Sequence, residues 1–348
     1  MIARLAGSQR RWCRRQWVMI GAASVIAALL LVGGYVVWIF QPLDAHSRGF
    51  EYIRVRPGQT ANEVAVTLKS RGIIKSAWAF VIMSRIDGAA TSLSSGVYRL
   101  SPRESLGNIL KRMKSGQVVV TKVSIPEGFT VKQIVDRLVS NHIGTPEQYR
   151  RLEKQALPGM PRPRPGVRDP LEGYLFPATY SFEYGTTARQ ALTEMWKTFQ
   201  TRMIVGLYDK SHTGLSLVDW VTLASVVQQE SKQPGQDAAV ASVFLNRLKQ
   251  NMPFQSDATV RYALGRVPAG GLVAADLTNP SPYNTYAHKG FPPGPIANPG
   301  EFTLKAALFP AHQPYLYFVS LRSGHILFAR TFQGQLRNIR YAQNHPHA

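Results

Sequence analysis

The sequence holds a single cysteine, Cys13, and only 20 acidic residues against 41 lysines and arginines in 348 residues. Because Cys13 lies so close to the N-terminus, we expect no disulfide in the rest of the chain. The sequence also lacks a CxxC pair and a cluster of histidines and cysteines, so we expect no metal ion and no cofactor. The shortage of acids leaves a net charge of +21, which favours an anionic partner such as nucleic acid, acidic lipid or an acidic cell-wall polymer.

Charge is absent altogether from residues 17–40, a run of 24 residues. As a helix it would span roughly 36 Å, enough to cross a hydrocarbon core of ~30 Å. Five arginines and no acid lie in residues 1–16, so the positive-inside rule places the N-terminus in the cytoplasm. The alternative is a cleaved signal peptide, but its apolar part would be only about 7–15 residues long and would end in a small-residue cleavage site.

These features predict a single-pass protein of the cell inner membrane. Residues 1–16 form a cytoplasmic tail, residues 17–40 form the transmembrane helix, and everything after Gln41 lies in the periplasm. Nucleic acid is then not the expected partner, and an anionic wall polymer or the outer membrane leaflet becomes the natural one.

Two segments that lie 70 residues apart repeat one pattern. The residues Gly58, Thr60, Val64, Leu68 and Ile73 recur as Gly128, Thr130, Ile134, Leu138 and Ile143. In each copy the end of a strand leads into a helix that opens with a capping box, Thr-x-x-Glu or Thr-x-x-Gln. The sequence therefore predicts two β–α units, whose repetition serves either packing or ligand binding.

The rest of the chain divides into predicted elements. Five prolines in residues 156–170 predict a loop. Residues 171–180 are aromatic and strand-like. Ser216 is a plausible N-cap for a largely apolar helix over 217–230, and an amphipathic helix over 237–250 follows. Near the C-terminus, residues 315–332 predict a hairpin.

Glu230 is the carboxyl group best suited to acid chemistry. It shares one face of the predicted helix with Leu223 and Val227 and lies in the last helical turn. Burial on an apolar face and the negative end of the helix dipole both raise the pKa of a carboxyl group. Such a group stays protonated near neutral pH, as a general acid must. The alternative is that Glu230 extends into solvent beside Gln228 and Gln229 without a role.

Six motifs resemble those of the endolytic murein transglycosylases, the YceG-like family. They read LEGYLFPATY at 171–180, ASVVQQE at 224–230, ASVFLNRL at 241–248, FQSDAT at 254–259, PSPYNTY at 280–286 and GFPPGPIANPG at 290–300. The resemblance runs from the apolar segment to about residue 335. Gln228 departs from it, because the family often has a glutamate there, and so does Ala178, which replaces a common aspartate. Glu230 is thus the single carboxylate of its motif.

The resemblance implies lytic cleavage of the β-1,4 bond between N-acetylmuramic acid and N-acetylglucosamine in nascent glycan strands. Glu230 would protonate the glycosidic oxygen and then, as carboxylate, take the proton of the muramic acid's own C6 hydroxyl group, which closes a 1,6-anhydro ring. Because the substrate supplies the nucleophile, one glutamate suffices, whereas a hydrolase uses a second carboxylate.

Further polar residues of the motifs are expected to hold the sugars. They are Gln255, Asp257, Tyr283, Asn284, Tyr286, His325 and Glu172. Most have a structural alternative: a helix cap before Ala258 for Asp257, a turn for Asn284, the core for Tyr283 or Tyr286, a hairpin for His325 and the surface for Glu172.

The fold class that follows is α+β. We expect a membrane-anchored chain with a LysM-like β–α module at 48–120, which would bind glycan containing N-acetylglucosamine. A mixed α/β catalytic domain at 121–345 follows, with the proline-rich loop 156–170. Peptidoglycan glycan strands are the expected partner, and a penicillin-binding synthase or divisome proteins are expected by analogy.

Two other functions stay open at this point. One is a non-catalytic, peptidoglycan-binding membrane scaffold in which Glu230 is structural. The other is a membrane-anchored hydrolase, which predicts a second carboxylate within about 5–10 Å of Glu230.

Overall fold

The computed structural model of the chain describes residues 3–89, 93–152, 154–210, 214–231, 235–268 and 271–345. The described chain divides into two compact units, Met1–Val120 and Thr121–Ala348, each with its own hydrophobic core. Over the residues described, the architecture is a mixture of helices and three short two-stranded sheets.

The first helix, α1 (Ala3–Phe40), contains an apolar window, Ala23–Phe40, with a mean hydropathy of 2.3. The helix is long and apolar enough to cross a membrane, which is compatible with the span predicted at 17–40. Of the predicted tail, residues 1–2 lie outside the described residues. At its other end α1 joins the first unit: Ile39 is buried in that core, and the Lys75 ammonium donates to the Trp38 carbonyl at 3.1 Å.

Two strands and three helices follow α1 in the first unit. They are β1 (Glu51–Val55), α2 (Ala61–Ser70), α3 (Ala77–Ile86), β2 (Gly96–Leu100) and α4 (Leu106–Lys114). The strands β1 and β2 pair antiparallel, with Ile53 opposite Tyr98. Both of these side chains are buried, and α2 packs Val64 and Leu68 into the same core.

Helices dominate the second unit. Its elements are β3 (Val120–Ser124), α5 (Val131–Ser140), α6 (Pro146–Leu152), β4 (Thr179–Glu183), α7 (Ala188–Phe199), α8 (Leu217–Glu230), α9 (Asp237–Lys249), α10 (Asp257–Leu264), α11 (Ala274–Leu277), α12 (Glu301–Leu308), β5 (Tyr317–Ser320), β6 (Ile326–Ala329) and α13 (Phe332–Asn344). A π-helical turn, Gln200–Val205, continues α7. The strand β3 pairs with β4, and β5 forms the predicted antiparallel hairpin with β6.

Both predicted capping boxes are present. The Thr60 hydroxyl accepts from the Glu63 amide at 3.3 Å, and the Glu63 carboxylate accepts from the Thr60 amide at 2.9 Å. Thr130 and Gln133 make the same reciprocal pair at the start of α5. The repeat therefore fixes two helix starts, one in each unit, by satisfying amides that an N-terminus leaves without helical partners.

The helix α8 lies at the centre of the second unit, with the bounds that the sequence predicted. The side-chain oxygen of Ser216 accepts from the Asp219 amide at 3.1 Å, so the predicted N-cap is confirmed. Every residue from 220 to 227 is buried, because other helices surround α8. The Trp220 indole donates to the Leu304 carbonyl of α12 at 2.8 Å, which fixes the contact between the two helices.

The strand predicted over 171–180 is wrong: β4 begins only at Thr179, and the residues before it form turns. A turn is possible because Gly173 adopts φ +88°, and a Cβ atom there would lie 2.5 Å from Pro295. The Leu175 amide bonds the Asn298 side chain at 2.8 Å instead of a neighbouring strand. The apolar residues of this turn are buried in the core. The segment therefore has the apolar composition of a strand although its backbone forms a turn.

Candidate active site

Glu230 is the last residue of α8, and its carboxyl group reaches the N-terminus of α10. The Ser256 hydroxyl donates to Glu230 Oε1 at 2.6 Å. The backbone amide of Ala258, in the first turn of α10, is a second donor to the same carboxyl group. Since Glu230 is partly buried and held by these donors, the alternative in which it extends freely into solvent is wrong.

The segment FQSDAT builds the other half of this arrangement. Ser256 is the N-cap of α10, yet its hydroxyl bonds Glu230 rather than an amide of its own helix. Asp257 is therefore not the cap of a helix starting at Ala258, as one alternative had it, but the first residue of α10. Because Ser256 already occupies the cap position with an extended backbone, the Asp257 carboxylate is free to accept from the Tyr286 hydroxyl at 2.8 Å.

Gln255 lies at a strained backbone position and completes the cluster around Glu230, which consists of Glu230, Ser256, Asp257, Tyr286, Arg247 and Gln255. Its φ is +52°, a region that residues other than glycine rarely adopt and that costs about 1 kcal/mol or more. The Gln255 amide donates to the Thr285 carbonyl at 3.1 Å, and the buried Arg247 guanidinium lies 3.4 Å from Gln255 Oε1. These contacts hold the exposed Gln255 side chain next to the Glu230 partner Ser256.

Burial is the largest cause that raises the pKa of Glu230 above that of an ordinary glutamate, and the charge on Asp257 raises it further. The Ser256 hydroxyl, the charge on Arg261 and the Ala258 amide act in the opposite direction. The net effect is a pKa above that of an ordinary glutamate, so a larger fraction of Glu230 is protonated at a given pH. Burial also raises the pKa of the Tyr286 phenol, so this group stays a neutral donor to Asp257.

Glu172 is a second buried carboxyl group, only 3% exposed, so the alternative that it is a surface acid is wrong. Its Oε1 accepts from the Val131 amide at 3.1 Å and from Asn298 Nδ2 at 3.0 Å, and its Oε2 accepts from the Tyr262 hydroxyl at 3.3 Å. Burial, aided by the charge on Asp169, raises the pKa of Glu172 well above its usual range. Glu172 thereby joins the N-terminus of α5 to α10.

A cleft of about 1390 Å³ runs beside Glu230. One wall comes from α5 and α6, and the other from α10 and the residue Arg168. Glu230 does not itself line the cleft, but Gln229 before it does, and so do Ala258 and Arg261 of the helix that its carboxyl group meets. The cleft therefore leads to the end of α10 at which Glu230 is held.

The remaining predicted residues lie apart from Glu230. Tyr283 is buried in the core, with its ring 4.9 Å from that of Tyr262. Asn284 is fully buried, and its Nδ2 donates to the carbonyls of two residues, Leu277 and Asn279, which supports the turn-shaping alternative. His325 is exposed at the turn between β5 and β6, and its described backbone bonds stay within that hairpin.

Gln228, which stands where the family often has a glutamate, contacts a different part of the second unit. Its Oε1 accepts from the Gly300 amide at 2.8 Å and from the Thr303 hydroxyl at 3.0 Å. Gly300 is the N-cap of α12 and has no side chain to do this itself. Gln228 thus caps α12, while Glu230, two residues on, faces α10.

Two members of the cluster, Ser256 and Arg247, were not singled out from the sequence. Arg247 lies three residues after Phe244, on the inward face of α9. A charged residue on that face is the feature of the sequence that could have identified it. It donates to the carbonyls of Leu316 at 2.6 Å and of Phe254. Ser256 offered no local signal, because its partner lies 26 residues away.

Comparison with known proteins gives a consistent result. The model of the YceG-like family matches residues 53–341. The endolytic murein transglycosylase of Bacillus subtilis (strain 168) is 31% identical over 323 residues, covering 87% of this chain and 89% of that protein. The endolytic murein transglycosylase of Streptococcus pneumoniae (strain ATCC BAA-255 / R6) is 28% identical over 90% of this chain, and the match spans 63% of the streptococcal protein.

Among solved structures, a crystal structure of a YceG-like protein from Listeria monocytogenes matches with a TM-score of 0.53 and 31% identity. The match covers 84% of this chain and 99% of that one. The family inferred from the six motifs is confirmed by these matches: this chain belongs to the YceG-like family.

Proposed function

We propose that the chain is a peptidoglycan lytic transglycosylase, a lyase, and that Glu230 is its acid and base. The observation that carries the proposal is the Glu230 carboxyl group, partly buried, 2.6 Å from the Ser256 hydroxyl and beside the cleft that Gln229 and Ala258 line. Family membership and the shared name of the relatives support the substrate and the reaction type.

The reaction needs no group from outside the site and the substrate. Protonated Glu230 gives its proton to the glycosidic oxygen as the bond from that oxygen to C1 of N-acetylmuramic acid breaks. The C6 hydroxyl oxygen of the same sugar attacks C1 and passes its proton to the Glu230 carboxylate. The products are a free 4-hydroxyl group on N-acetylglucosamine and a 1,6-anhydro-muramic end, and Glu230 is again protonated.

Ser256 positions the carboxyl group for both steps, since its hydroxyl occupies Oε1 and fixes the rotamer. The partly buried Asp257 and Tyr286 and the exposed Gln255 are proposed to contact the sugars, because they surround Ser256. The charge on Asp257 also keeps the pKa of Glu230 raised, which preserves the acid for the first step. An attacking group within the substrate replaces a bimolecular step and so lowers the entropic cost of the reaction.

A hydrolase is the second candidate, and Asp257 is the observation that favours it. Its charge acts on Glu230, so a second carboxylate is close to the acid as a hydrolase needs. However, Asp257 Oδ1 accepts from the Tyr286 hydroxyl at 2.8 Å, so this carboxylate already has a firm partner within the protein.

Product chemistry decides among these functions. Purified peptidoglycan would be digested with the full-length protein in detergent, wild type beside Glu230→Gln, and the products analysed by mass spectrometry. Ends in 1,6-anhydro-muramic acid from wild type, and none from Glu230→Gln, are expected. Reducing ends would establish a hydrolase instead, and no products from folded wild type would favour the non-catalytic scaffold.

We also propose that α1 is a retained anchor, with residues 1–16 in the cytoplasm and the remainder in the periplasm. Cleavage after the apolar run would remove Ile39 from the core of the first unit and break the bond from Lys75 to the Trp38 carbonyl. Protease added to intact spheroplasts should digest the second unit and leave the N-terminal tail protected. Release of the chain by alkaline carbonate would contradict the anchor.

The module at 48–120 is proposed to be LysM-like and the region 121–345 to be catalytic. Support comes from the separate core of the first unit and from the location of Glu230 in the second. Deletion of residues 48–120 should weaken retention on peptidoglycan without changing the type of product. Contact with a penicillin-binding synthase or divisome proteins stays a prediction from the family.

A further inference from the structure

Three arginines follow one wall of the cleft, starting beside the Glu230 cluster. Arg261 lies in the middle of α10, and its charge acts on Glu230. Arg266 follows the end of α10, and Arg168 reaches the same place from the proline-rich loop. The side chains of Arg261 and Arg266 are 42% and 61% exposed, so both guanidinium groups are open to a ligand.

Arg168 is held at this wall by the end of α10. Its Nη1 donates to the Tyr262 carbonyl at 2.7 Å, which also accepts from the Gly265 amide at 3.1 Å, and to the Ala263 carbonyl at 3.3 Å. Gly265 ends the helix with φ +67°, and a Cβ atom there would lie 3.0 Å from Arg168 Nη2. The absence of a side chain at Gly265 thus leaves room for the guanidinium group next to Arg266.

The ion pairs that Arg261 and Arg266 make within the protein are long. Arg261 contacts Asp257 at 3.5 Å, and both side chains are partly exposed, whereas Arg266 contacts the largely buried Asp276 at 3.5 Å. A surface pair such as that of Arg261 contributes about 0–1 kcal/mol, so this guanidinium group can turn to a better acceptor at little cost. The Arg266 side chain is 61% exposed and makes one long contact, so its guanidinium group can donate to a second carboxylate. Lys132, Arg150 and Lys154 also line the cleft, and so do the acidic residues Glu127, Asp136, Asp169 and Glu172. The six cationic side chains outnumber the four carboxyl groups.

We propose that this cleft binds the peptide that N-acetylmuramic acid carries, with Arg168, Arg261 and Arg266 pairing with its carboxylates. The inference deepens the proposed function and rests on it for the identity of the polymer. A glycan backbone offers hydroxyl and acetamido groups and gives no reason for a row of arginines. A peptide with free carboxylates does, because the guanidinium fork matches a carboxylate with two parallel hydrogen bonds.

The dimensions agree with this ligand. The helix from Ala258 to Leu264 rises about 9 Å, and Arg266 follows two residues later. An extended peptide of about four residues spans ~13 Å. A peptide attached to a muramic acid whose glycosidic bond lies at Glu230 therefore reaches from Arg261 to the pair formed by Arg168 and Arg266.

The test compares two substrates for each protein: uncrosslinked glycan strands that carry their peptides, and the same strands stripped of peptide by an amidase. Initial rates of anhydro-end formation give kcat/KM for both substrates. Wild type should prefer peptide-bearing strands, and the preference should shrink as salt rises. In Arg266→Gln, and separately in Arg168→Gln, the ratio of the two kcat/KM values should fall about two- to fivefold. Arg340→Gln, an exposed arginine of α13 outside the cleft, should leave the ratio unchanged.

Equal kcat/KM on both substrates in wild type would overturn the inference, and so would an equal loss on both in the variants. A binding assay separates this from failure of the proposed chemistry. Glu230→Gln should be retained more strongly by peptide-bearing than by stripped strands, and adding Arg266→Gln should remove the difference. That result supports the peptide site even if no anhydro ends form; retention independent of the peptide contradicts it.

Discussion

Glu172 and Glu230 both have a raised pKa for the same main reason, burial, but their surroundings differ. The protein's own donors take both oxygens of Glu172, and these donors come from α5, α10 and the residue Asn298. Glu230 has a hydroxyl donor on one oxygen, charges of both signs nearby, and the cleft at the end of its partner helix.

The comparison teaches that a raised pKa alone does not identify the acid of an active site. A carboxyl group whose two oxygens are both taken by the protein's own donors joins elements of the fold, even where it lines the cleft as Glu172 does. A less buried carboxyl group beside the cleft, such as Glu230, can exchange a proton with a substrate. Glu172 should therefore control stability, and Glu230 should control rate. Three substitutions test this division.

The largest effect is expected from Glu230→Gln. Loss of the acid should lower the rate of anhydro-end formation by about 10²–10⁴-fold. Glutamine has the same length and can still accept from the Ser256 hydroxyl, so the free energy of unfolding should change little. Product analysis and urea unfolding measure the two effects. A rate loss smaller than tenfold would mean that another group donates the proton.

Glu172→Ala should have the reverse profile. It leaves the Val131 amide, Asn298 Nδ2 and the Tyr262 hydroxyl without their acceptor, and each such buried donor costs about 1–3 kcal/mol. Because rearrangement recovers part of that cost, we expect a loss of about 2–4 kcal/mol in the free energy of unfolding. Urea unfolding measures it. Unchanged stability with abolished turnover would place Glu172 in catalysis.

Glu172→Gln is the matched control, and it adds a pH signature. The stability that protonated Glu172 contributes is complete below the pKa of an unfolded glutamate and is lost as the pH rises through the raised folded value. The stability of wild type minus that of Glu172→Gln should therefore decline with rising pH. A flat difference would show that Glu172 titrates normally.

The sequence predicted the parts of the fold that rest on local bonds. The start and end of α8, both capping boxes and the terminal hairpin follow from residues that lie within a few positions of their partners. Glu230 was also identified locally, because the apolar face of α8 and the motif around it are contiguous in sequence.

The predictions that failed concern residues whose partners lie far away in the sequence. The turn before β4 exists because Leu175 bonds Asn298, 123 positions away, and because Gly173 meets Pro295. The roles of Ser256, Asp257 and Asn284 depend on which of several possible partners the fold brings near. An alternation pattern or a capping rule cannot rank such partners, so Asp257 and Asn284 were predicted as polar site residues without their roles, and Ser256 was not predicted.

Asp257→Asn tests how neighbouring charges set the pKa of Glu230. Removing the Asp257 charge takes away a cause that raises the pKa of Glu230, so the high-pH decline of kcat/KM should move to lower pH. Arg261→Gln should move it to higher pH, because the Arg261 charge lowers the same pKa. Stripped glycan strands serve as substrate, which keeps the peptide site out of the comparison. Complete loss of activity in Asp257→Asn at every pH would favour the hydrolase.

Gln228→Glu should have the smallest effect on the rate. It tests whether Glu230 alone is the acid and base. The substitution restores the glutamate that the family often has two residues before Glu230. A carboxylate there can accept from the Gly300 amide and the Thr303 hydroxyl as the amide oxygen does, and the N-terminus of α12 favours its charge. We expect a rate within about twofold of wild type, because a side chain that caps α12 gains no access to the substrate through its charge. Gln228→Ala, which removes the cap, should cost about 1 kcal/mol of stability with the rate of the folded protein retained. A tenfold or larger gain in Gln228→Glu would instead mean that the first glutamate of the motif shares the chemistry, and that this chain works with half of a two-carboxylate site.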